Sequence, residues 1–279
     1  GLGDVYKRQA ADRDIPWHEH DLMRREHSVL PFFAPLAPLL PRTLAVDFTH
    51  ELIDRDYLLQ THLPGRSWRQ LAPRLAPEQT AGLLREMADI LQRIHRVRGA
   101  AFGDPWPGRQ YPTWSATLLD WLERSLAEAT SLGAETDGMR AALALAGAGV
   151  AALDALGAPR LLHGDLWDFN LLVRQGAEGA TISGVLDYDR AGWGDPLFEW
   201  TFHLLPRRAS AAEQAIFWEA YGRPPADDAT RFRIALYEVF HIGQVLADVR
   251  RRHRDDLLPR VYAAQAAALA ALRAARQVG

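Results

Sequence analysis

The 279-residue sequence has no cysteine, which excludes disulfide bonds and thiolate-bound metal sites. It also lacks any run of about 18 uncharged apolar residues, so it does not predict a membrane-spanning helix. The first residues carry no apolar signal core, and we therefore expect a cytoplasmic protein with no membrane partner.

A basic excess is missing as well, because the formal net charge is −3. This balance gives no indication of a nucleic-acid partner. Apolar residues make up 48% of the chain and charged residues 24%. A chain of this length and composition can bury one large core or two lobes. The composition is typical of a globular enzyme but does not identify a reaction.

Lysine is nearly absent, because Lys7 is the only lysine among the 32 lysine and arginine residues. Such a bias towards arginine indicates a G+C-rich source gene, and Lys7 stands apart from it. Residues 4–9 resemble the translated end of a common transposon-based sequencing adapter. We expect residues 1–9 to be foreign and the natural chain to continue upstream of Ala10; an unusual natural tail is the alternative.

Two motifs lie close together in the second half of the chain. Residues 162–173 read LHGDLWDFNLLV, and residues 184–196 read GVLDYDRAGWGDP. Short apolar runs at 160–162, 171–173 and 181–186 predict strands, two of which enclose a loop while the third delivers Asp187 to the same end. The following Asp195-Pro196 predicts the start of a helix.

These motifs contain the side chains that phosphoryl transfer requires. A carboxylate must orient and deprotonate the acceptor hydroxyl, and oxygen ligands must hold Mg²⁺ beside the nucleotide phosphates. Asp165 can supply the first function, while Asn170 and Asp187 can supply the second. Each residue type alone is common in solvated turns, so the prediction depends on the two motifs occurring together and in this order.

The two motifs resemble those of the aminoglycoside phosphotransferase family, which is similar to choline, homoserine and fructosamine kinases. The resemblance implies an α+β, protein-kinase-like bilobal fold with a small, partial β-sheet N-lobe and a mostly α-helical C-lobe. It implies ATP and Mg²⁺ as cofactors and a small-molecule hydroxyl acceptor as the partner. By position, Asp165 would be the catalytic base and Asn170 and Asp187 the metal ligands. His163 would brace the loop, and Asp195 would brace it from the helix start.

The N-terminal part of the chain fits the resemblance incompletely. A mainly helical segment is predicted over 18–33, although Pro31 can end it early. Its Glu26 resembles the family's glutamate that pairs with a strand lysine. Neither that lysine nor the Gly-rich phosphate loop has a counterpart here, so we expect an N-terminally truncated chain of impaired activity.

The segments after this helix predict the rest of the small lobe. Residues 43–48 and 56–60 predict adjacent strands, and the resemblance makes Thr61, His62 and Leu63 the hinge whose backbone binds adenine. We accordingly expect a partial N-lobe and hinge over 10–65 and a helical C-lobe with the catalytic and metal-binding loops over 66–279.

The C-lobe prediction depends on apolar residues at helical spacing. Helices are predicted at 77–97, 114–126, 135–156, 196–205, 211–221, 229–249 and 257–276.

The acceptor is the least defined part of the prediction. Four acids could form an acidic rim that attracts a polyamine such as an aminoglycoside: Asp165, Asp168, Asp189 and Glu199. The same acids could instead be engaged by Mg²⁺ or by arginines. Trp193 and Trp200 could stack on a ligand, although core packing is the more common role of tryptophan.

Three functions therefore remain open. The first is a small-molecule kinase acting on an aminoglycoside or a related amino-sugar. The second is a nucleotide-binding pseudokinase or an inactive fragment, which would bind a nucleotide without turnover. The third is a protein kinase, disfavoured because residues 187–196 leave little room for a long activation segment.

Overall fold

The computed structural model describes residues 21–105, 108–177 and 179–277. The predicted foreign segment at 1–9 and the first residues of the predicted helix at 18–33 lie outside the described residues. The strands are β1 (Thr43–Asp47), β2 (Tyr57–Gln60), β3 (Arg66–Ser67), β4 (Phe102–Gly103), β5 (Gln110–Tyr111), β6 (Arg160–Leu162), β7 (Leu171–Gly176), β8 (Gly179–Val185) and β9 (Gly192–Gly194). The α-helices are α1 (Leu22–Val29), α2 (Trp68–Leu71), α3 (Pro77–His95), α4 (Trp114–Ser131), α5 (Asp137–Ala148), α6 (Val150–Leu153), α7 (Trp200–Arg208), α8 (Ala211–Tyr221), α9 (Asp228–Arg251) and α10 (Leu258–Gln277).

The first helix is shorter than the sequence predicts. It ends at Val29 and continues as a 3₁₀ segment, Leu30–Leu39, which contains Pro35 and Pro38. Proline has no backbone N–H and clashes with the preceding turn, so an α-helix cannot continue through this segment. The side chains of Phe33 and Leu36 are buried and anchor it to the core.

The predicted strands at 43–48 and 56–60 are confirmed as an antiparallel pair. β1 and β2 form a two-stranded sheet in which Val46 lies opposite Leu58. Because α1 contacts β2, the helix that carries Glu26 lies beside this sheet.

Two further sheets position the motifs. β7 and β8 form an antiparallel hairpin with β3 at its edge, and β6 belongs to a second sheet of order β5-β4-β9-β6. The two strands that enclose the loop at 163–170 therefore lie in different sheets, which the sequence does not predict. The loop crosses from one sheet to the other.

The C-terminal helices agree with most of the predicted segments. The helix predicted at 135–156 is divided into α5 and α6 at Gly149, a residue with low helix propensity. The Phe232 ring packs against this position so closely that a Cβ would collide with it. The helix predicted at 196–205 begins as a 3₁₀ turn, Pro196–Phe198, before α7. None of the helices among the described residues is both long and apolar enough to cross a membrane.

Candidate active site

The HGD motif, residues 163–165, follows β6 and begins a loop whose backbone donates hydrogen bonds to Glu199. The His163 amide donates to Glu199 Oε1 at 2.5 Å, and the Gly164 amide donates to Oε2 at 3.0 Å. The Thr201 hydroxyl donates to the Leu166 carbonyl further along the loop. The residues around the start of α7 thus fix the loop that carries Asp165.

Hydrogen bonds connect Asp165, Asn170 and the strand before Asp187. The Asn170 side-chain amide donates to the Asp165 backbone carbonyl at 2.8 Å and to Asp165 Oδ2 at 3.1 Å. The Leu186 amide donates to the Asn170 backbone carbonyl at 2.9 Å. The structure therefore brings the predicted base and the two predicted metal ligands together at one end of the β7–β8 hairpin.

Two backbone features explain how the motifs approach each other. Gly164 has a φ of +81°, and a Cβ at this position would collide with the Arg190 carbonyl. Asp187 has a φ of 66°, a left-handed conformation that few residues other than glycine, asparagine and aspartate adopt. The close contact of Gly164 with Arg190 packs the HGD loop against the segment that follows Asp187.

Glu199 is fully buried and belongs to a hydrogen-bond network. His95 Nε2 lies 3.4 Å from Glu199 Oε1, and the Tyr221 hydroxyl lies 2.8 Å from His95 Nδ1. Burial alone would raise the pKa of Glu199, but the hydrogen bonds from His95 and from the His163 amide outweigh burial and lower this pKa. Glu199 is therefore a buried carboxylate that accepts hydrogen bonds from the loop carrying Asp165.

The predicted bracing role of Asp195 is therefore corrected. Asp195 accepts hydrogen bonds from Leu197 N, Arg233 Nε and the Tyr237 hydroxyl, so it ties the 3₁₀ turn to α9. Glu199, four residues later, makes the contact with the loop. One sequence signal could have indicated this: Glu199 is a lone acid within the otherwise uncharged segment 196–202, a pattern typical of a buried and partnered charge.

His163 lies behind the loop, where the structure buries it completely. Its Nδ1 accepts a hydrogen bond from the Asp165 amide at 3.3 Å. Burial lowers the pKa of the imidazole, and the nearby charges of Glu199 and Asp187 oppose this effect only in part. A neutral imidazole at this position can orient the backbone of Asp165.

Glu26 faces the same region from α1. The Gln60 side-chain amide donates to Glu26 Oε1 at 3.4 Å. Burial and, to a smaller extent, the Glu26 charge raise the pKa of the Tyr188 hydroxyl. The glutamate thus lies between β2 and the segment after β8, although the described residues contain no lysine that could pair with it.

The predicted hinge lies against β8. The Ser183 hydroxyl donates to the Pro64 carbonyl at 2.5 Å, and a Cβ on Gly184 would lie 2.8 Å from Leu63 Cδ1. The Thr61 amide donates to the Arg42 carbonyl at 2.9 Å, so the protein itself uses this amide. The candidates for adenine binding in the predicted hinge are therefore the backbone groups of His62 and Leu63 and the Thr61 carbonyl.

The predicted acidic rim does not form as a continuous surface. Asp189 and Glu199 are buried, with exposed fractions of 3% and 1%. Asp168 is held by Arg69 at 3.4 Å and by Arg208 at 3.2 Å. Asp168 is therefore paired with arginines, as the alternative interpretation of these acids allowed. Asp189 and Glu199 are buried and do not belong to the surface.

A cavity of about 400 Å³ lies beside Asp165 and is also lined by Trp200 and His241. Trp193 is buried in the core instead. The cavity is large enough for a small-molecule acceptor, and its position next to the predicted base was not evident in the sequence. Its walls come from α1, α4, α9, the start of α7 with the preceding 3₁₀ turn, Asp104 and the loops that follow β6 and β8.

His241 on the cavity wall leads to a prediction about pH. Its Nε2 lies 3.0 Å from the Phe198 carbonyl, and burial lowers its pKa to about 4, while burial lowers that of His203 to about 2. The pKa of a histidine in the unfolded chain is about 6.5. At pH values between about 6.5 and the lower folded-state pKa values, the unfolded chain therefore binds more protons than the folded chain. The contribution of these histidines to the free energy of unfolding should thus be fully present above about pH 6.5. It should fall as the pH decreases, by about 1.4 kcal/mol per pH unit for each histidine.

We expect His241→Gln to make the free energy of unfolding less dependent on pH between 6.5 and 4.5, as measured by urea denaturation. The exposed His253→Asn variant is the control and should keep the wild-type pH dependence. Equal slopes for His241→Gln and the wild type would contradict the prediction.

The loop, the hairpin and the adjoining helices define a kinase-like phosphotransferase fold, and comparisons with known proteins agree. The model of the phosphotransferase enzyme family matches residues 7–237. The chain therefore belongs to the phosphotransferase enzyme family, and the resemblance found in the motifs is confirmed. No match was found among curated protein sequences.

Solved structures of aminoglycoside phosphotransferases share the fold. A thermostable mutant of APH(4)-Ia is 20% identical, with a TM-score of 0.62 over 91% of this chain and 84% of its own. A further variant of that thermostable enzyme, in complex with AMP-PNP and hygromycin B, is 18% identical, with a TM-score of 0.62 over 89% of this chain and 82% of its own. A GDP complex of aminoglycoside 2'-phosphotransferase-IIIa is 13% identical, with a TM-score of 0.60 over 90% and 82%. The predicted kinase-like fold class is confirmed.

Proposed function

We propose that the protein transfers the γ-phosphoryl group of ATP to a hydroxyl group of a small molecule, with Mg²⁺ as the metal. One observation carries this proposal: hydrogen bonds connect Asp165, Asn170 and the strand that presents Asp187. A base and two oxygen ligands at one site are what phosphoryl transfer requires. A cavity for the acceptor opens beside the base.

In this proposal Asp165 is the general base. Its carboxylate lines the cavity, where it can accept a hydrogen bond from the acceptor hydroxyl and receive its proton as the oxygen attacks phosphorus. The two bonds from the Asn170 amide and the bond between the Asp165 amide and His163 fix the orientation of this carboxylate. A preoriented base lowers the entropic part of the barrier.

The donor set of Asn170 and Asp187 fits Mg²⁺. Among the residues that the structure describes, no group of three or more histidines and carboxylates could hold a metal alone. Mg²⁺ commonly takes one or two protein oxygens and completes its shell with phosphates and water. When bound, the ion would neutralise charge between the β- and γ-phosphates, and Asn170 and Asp187 would hold it there.

The resemblance to solved structures supports a sugar-like acceptor. APH(4)-Ia was solved with AMP-PNP and hygromycin B, and it shares the fold of this chain. An aminoglycoside or related amino-sugar is therefore one acceptor class to test. We infer that the protein works in the cytoplasm, where ATP is available.

The metal proposal predicts the effect of one substitution. Asp187→Asn removes a negatively charged ligand of Mg²⁺. We therefore expect the gain in ATP affinity on adding Mg²⁺ to be at least about tenfold smaller in this variant than in the wild type, as measured by calorimetry with and without the ion. The exposed Asp256→Asn variant should keep the wild-type Mg²⁺ dependence. An unchanged Mg²⁺ dependence in Asp187→Asn would exclude this residue as a ligand.

One observation favours the pseudokinase as a second candidate. The only lysine of the chain is Lys7, so no lysine of the described residues can contact the nucleotide phosphates. If nucleotide binding is measured but no ADP forms with any acceptor, the pseudokinase is the correct function.

A further inference from the structure

We propose that the acceptor is an uncharged hydroxyl compound with a flat apolar or aromatic face, and not a polycationic amino-sugar. The inference deepens the proposed function and rests on it, because the cavity in question is the one beside Asp165. Two properties of the cavity wall carry it: its acids are paired with arginines, and its surface is aromatic.

The acids of the cavity wall other than Asp165 are paired with arginines. Asp104 lies 3.1 Å from Arg25 Nη2, on α1. Glu128 lies 2.5 Å from Arg251 Nη2, across 123 residues of sequence. In addition, burial raises the pKa of the Asp104 carboxyl, which weakens it as an anion.

The third acid, Asp248, accepts from Arg252 Nε at 2.7 Å within α9. With Arg190, the cavity is lined by four arginines and four carboxylates, so their formal charges balance. His241 adds no charge at neutral pH because its pKa is lowered to about 4. A polyamine would therefore find no net negative charge and would have to displace arginines to pair with these acids.

The rest of the wall is unusually aromatic. Six rings line the cavity: Trp121, Trp167, Phe198, Trp200, Phe240 and His241. The side chains of Trp121, Trp167 and Trp200 are partly exposed, so a ligand can contact them. One face of Trp167 is covered by the Arg208 guanidinium, whose carbon lies 4.7 Å from the ring centroid. Trp121 packs against the Phe198 and Phe240 rings, and Trp200 packs against the His203 and His241 rings. The exposed parts of Trp121 and Trp200 can still contact the apolar face of a glycoside or an aromatic ring.

A matched pair of probes tests the inference. Phenyl β-D-glucoside and phenyl 2-amino-2-deoxy-β-D-glucoside differ only at carbon 2, where the second compound has an amine in place of the hydroxyl. Kanamycin serves as a polycationic probe. We expect calorimetry, with and without AMP-PNP and Mg²⁺, to show at least about tenfold tighter binding of the neutral glucoside than of the amine. Equal or tighter binding of the amine or of kanamycin, or no binding of the neutral glucoside, would overturn the inference.

Variants of the cavity wall test whether its residues cause the preference for the neutral glucoside. Arg251→Gln releases Glu128 from its partner and should move the preference towards the amine by about fivefold or more, and Arg252→Gln should act in the same direction through Asp248. Arg207→Gln, which removes an exposed pair with Glu238, is the control and should change nothing. Trp200→Leu should weaken the binding of the neutral glucoside about tenfold, whereas Trp218→Leu, outside the cavity, should not.

The failure of this inference differs from the failure of the proposed function. If kanamycin is phosphorylated and the neutral glucoside does not bind, the function stands and the inference is wrong. If the neutral glucoside binds with the expected preference but AMP-PNP does not bind, the inference about the cavity stands and the kinase function is wrong. Thermal melts of each variant separate loss of binding from loss of folding, and the more exposed Arg252→Gln gives the answer if Arg251→Gln does not fold.

Discussion

Replacing Asp165 with alanine is expected to lower kcat for ADP formation by about 100- to 10,000-fold, because the acceptor hydroxyl then loses its general base. Binding of the nucleotide should change little, since the predicted metal ligands remain. The Asn170 amide keeps its bond to the backbone carbonyl of residue 165, so the loop should stay folded. Steady-state kinetics together with nucleotide binding by calorimetry check both parts of the prediction.

Asp168→Asn on the same loop is the matched control. Asp168 contacts Arg69 and Arg208 and does not line the cavity. This variant should keep kcat within about threefold of the wild type, because Asp168 lies outside the cavity where the acceptor would bind. Full activity in Asp165→Ala, or an equal loss in both variants, would exclude Asp165 as the base.

Glu199→Ala is expected to cost about 2–5 kcal/mol of unfolding free energy and to abolish activity. The substitution removes a buried carboxylate, leaves the His163 and Gly164 amides without an acceptor, and leaves His95 without its charged partner. Unsatisfied buried donors and broken buried ion pairs are among the most destabilising changes known. Urea denaturation and a thermal melt measure the loss.

Two further variants make this prediction specific. Glu199→Gln keeps one side-chain oxygen for the two loop amides, so its stability should lie between those of the alanine variant and the wild type. Glu238→Ala removes an exposed pair with Arg207 and should cost about 1 kcal/mol or less. Wild-type stability in Glu199→Ala would show that the carboxylate does not hold the loop.

Local patterns in the sequence predict those parts of the candidate site that are close in the chain. Asp165 and Asn170 are five residues apart on one loop, and Asp187 follows a β-hairpin that alternating and apolar residues predict. The helix predicted at 211–221 coincides with α8, because Ser210 and Glu213 form a capping box at its start. Periodicity and capping are local, so one sequence can reveal them.

Long-range partners could not be predicted in the same way. Arg25 and Asp104 are 79 residues apart, and Arg251 and Glu128 are 123 residues apart. Whether such acids attract a ligand or neutralise an arginine depends on tertiary packing, which no local pattern specifies. For the same reason the sequence allows Glu199 to belong to an acidic rim, whereas the structure buries it beneath the loop that carries Asp165.

The most direct test of the phosphotransferase function is mass spectrometry of the acceptors after incubation of the wild-type protein with ATP and Mg²⁺. The account predicts that an acceptor gains one HPO₃ group for each ADP formed, with phenyl β-D-glucoside phosphorylated in preference to kanamycin, and that the product is lost in Asp165→Ala. Nucleotide binding with no phosphorylated product from any acceptor, or equal product formation by Asp165→Ala, would contradict it.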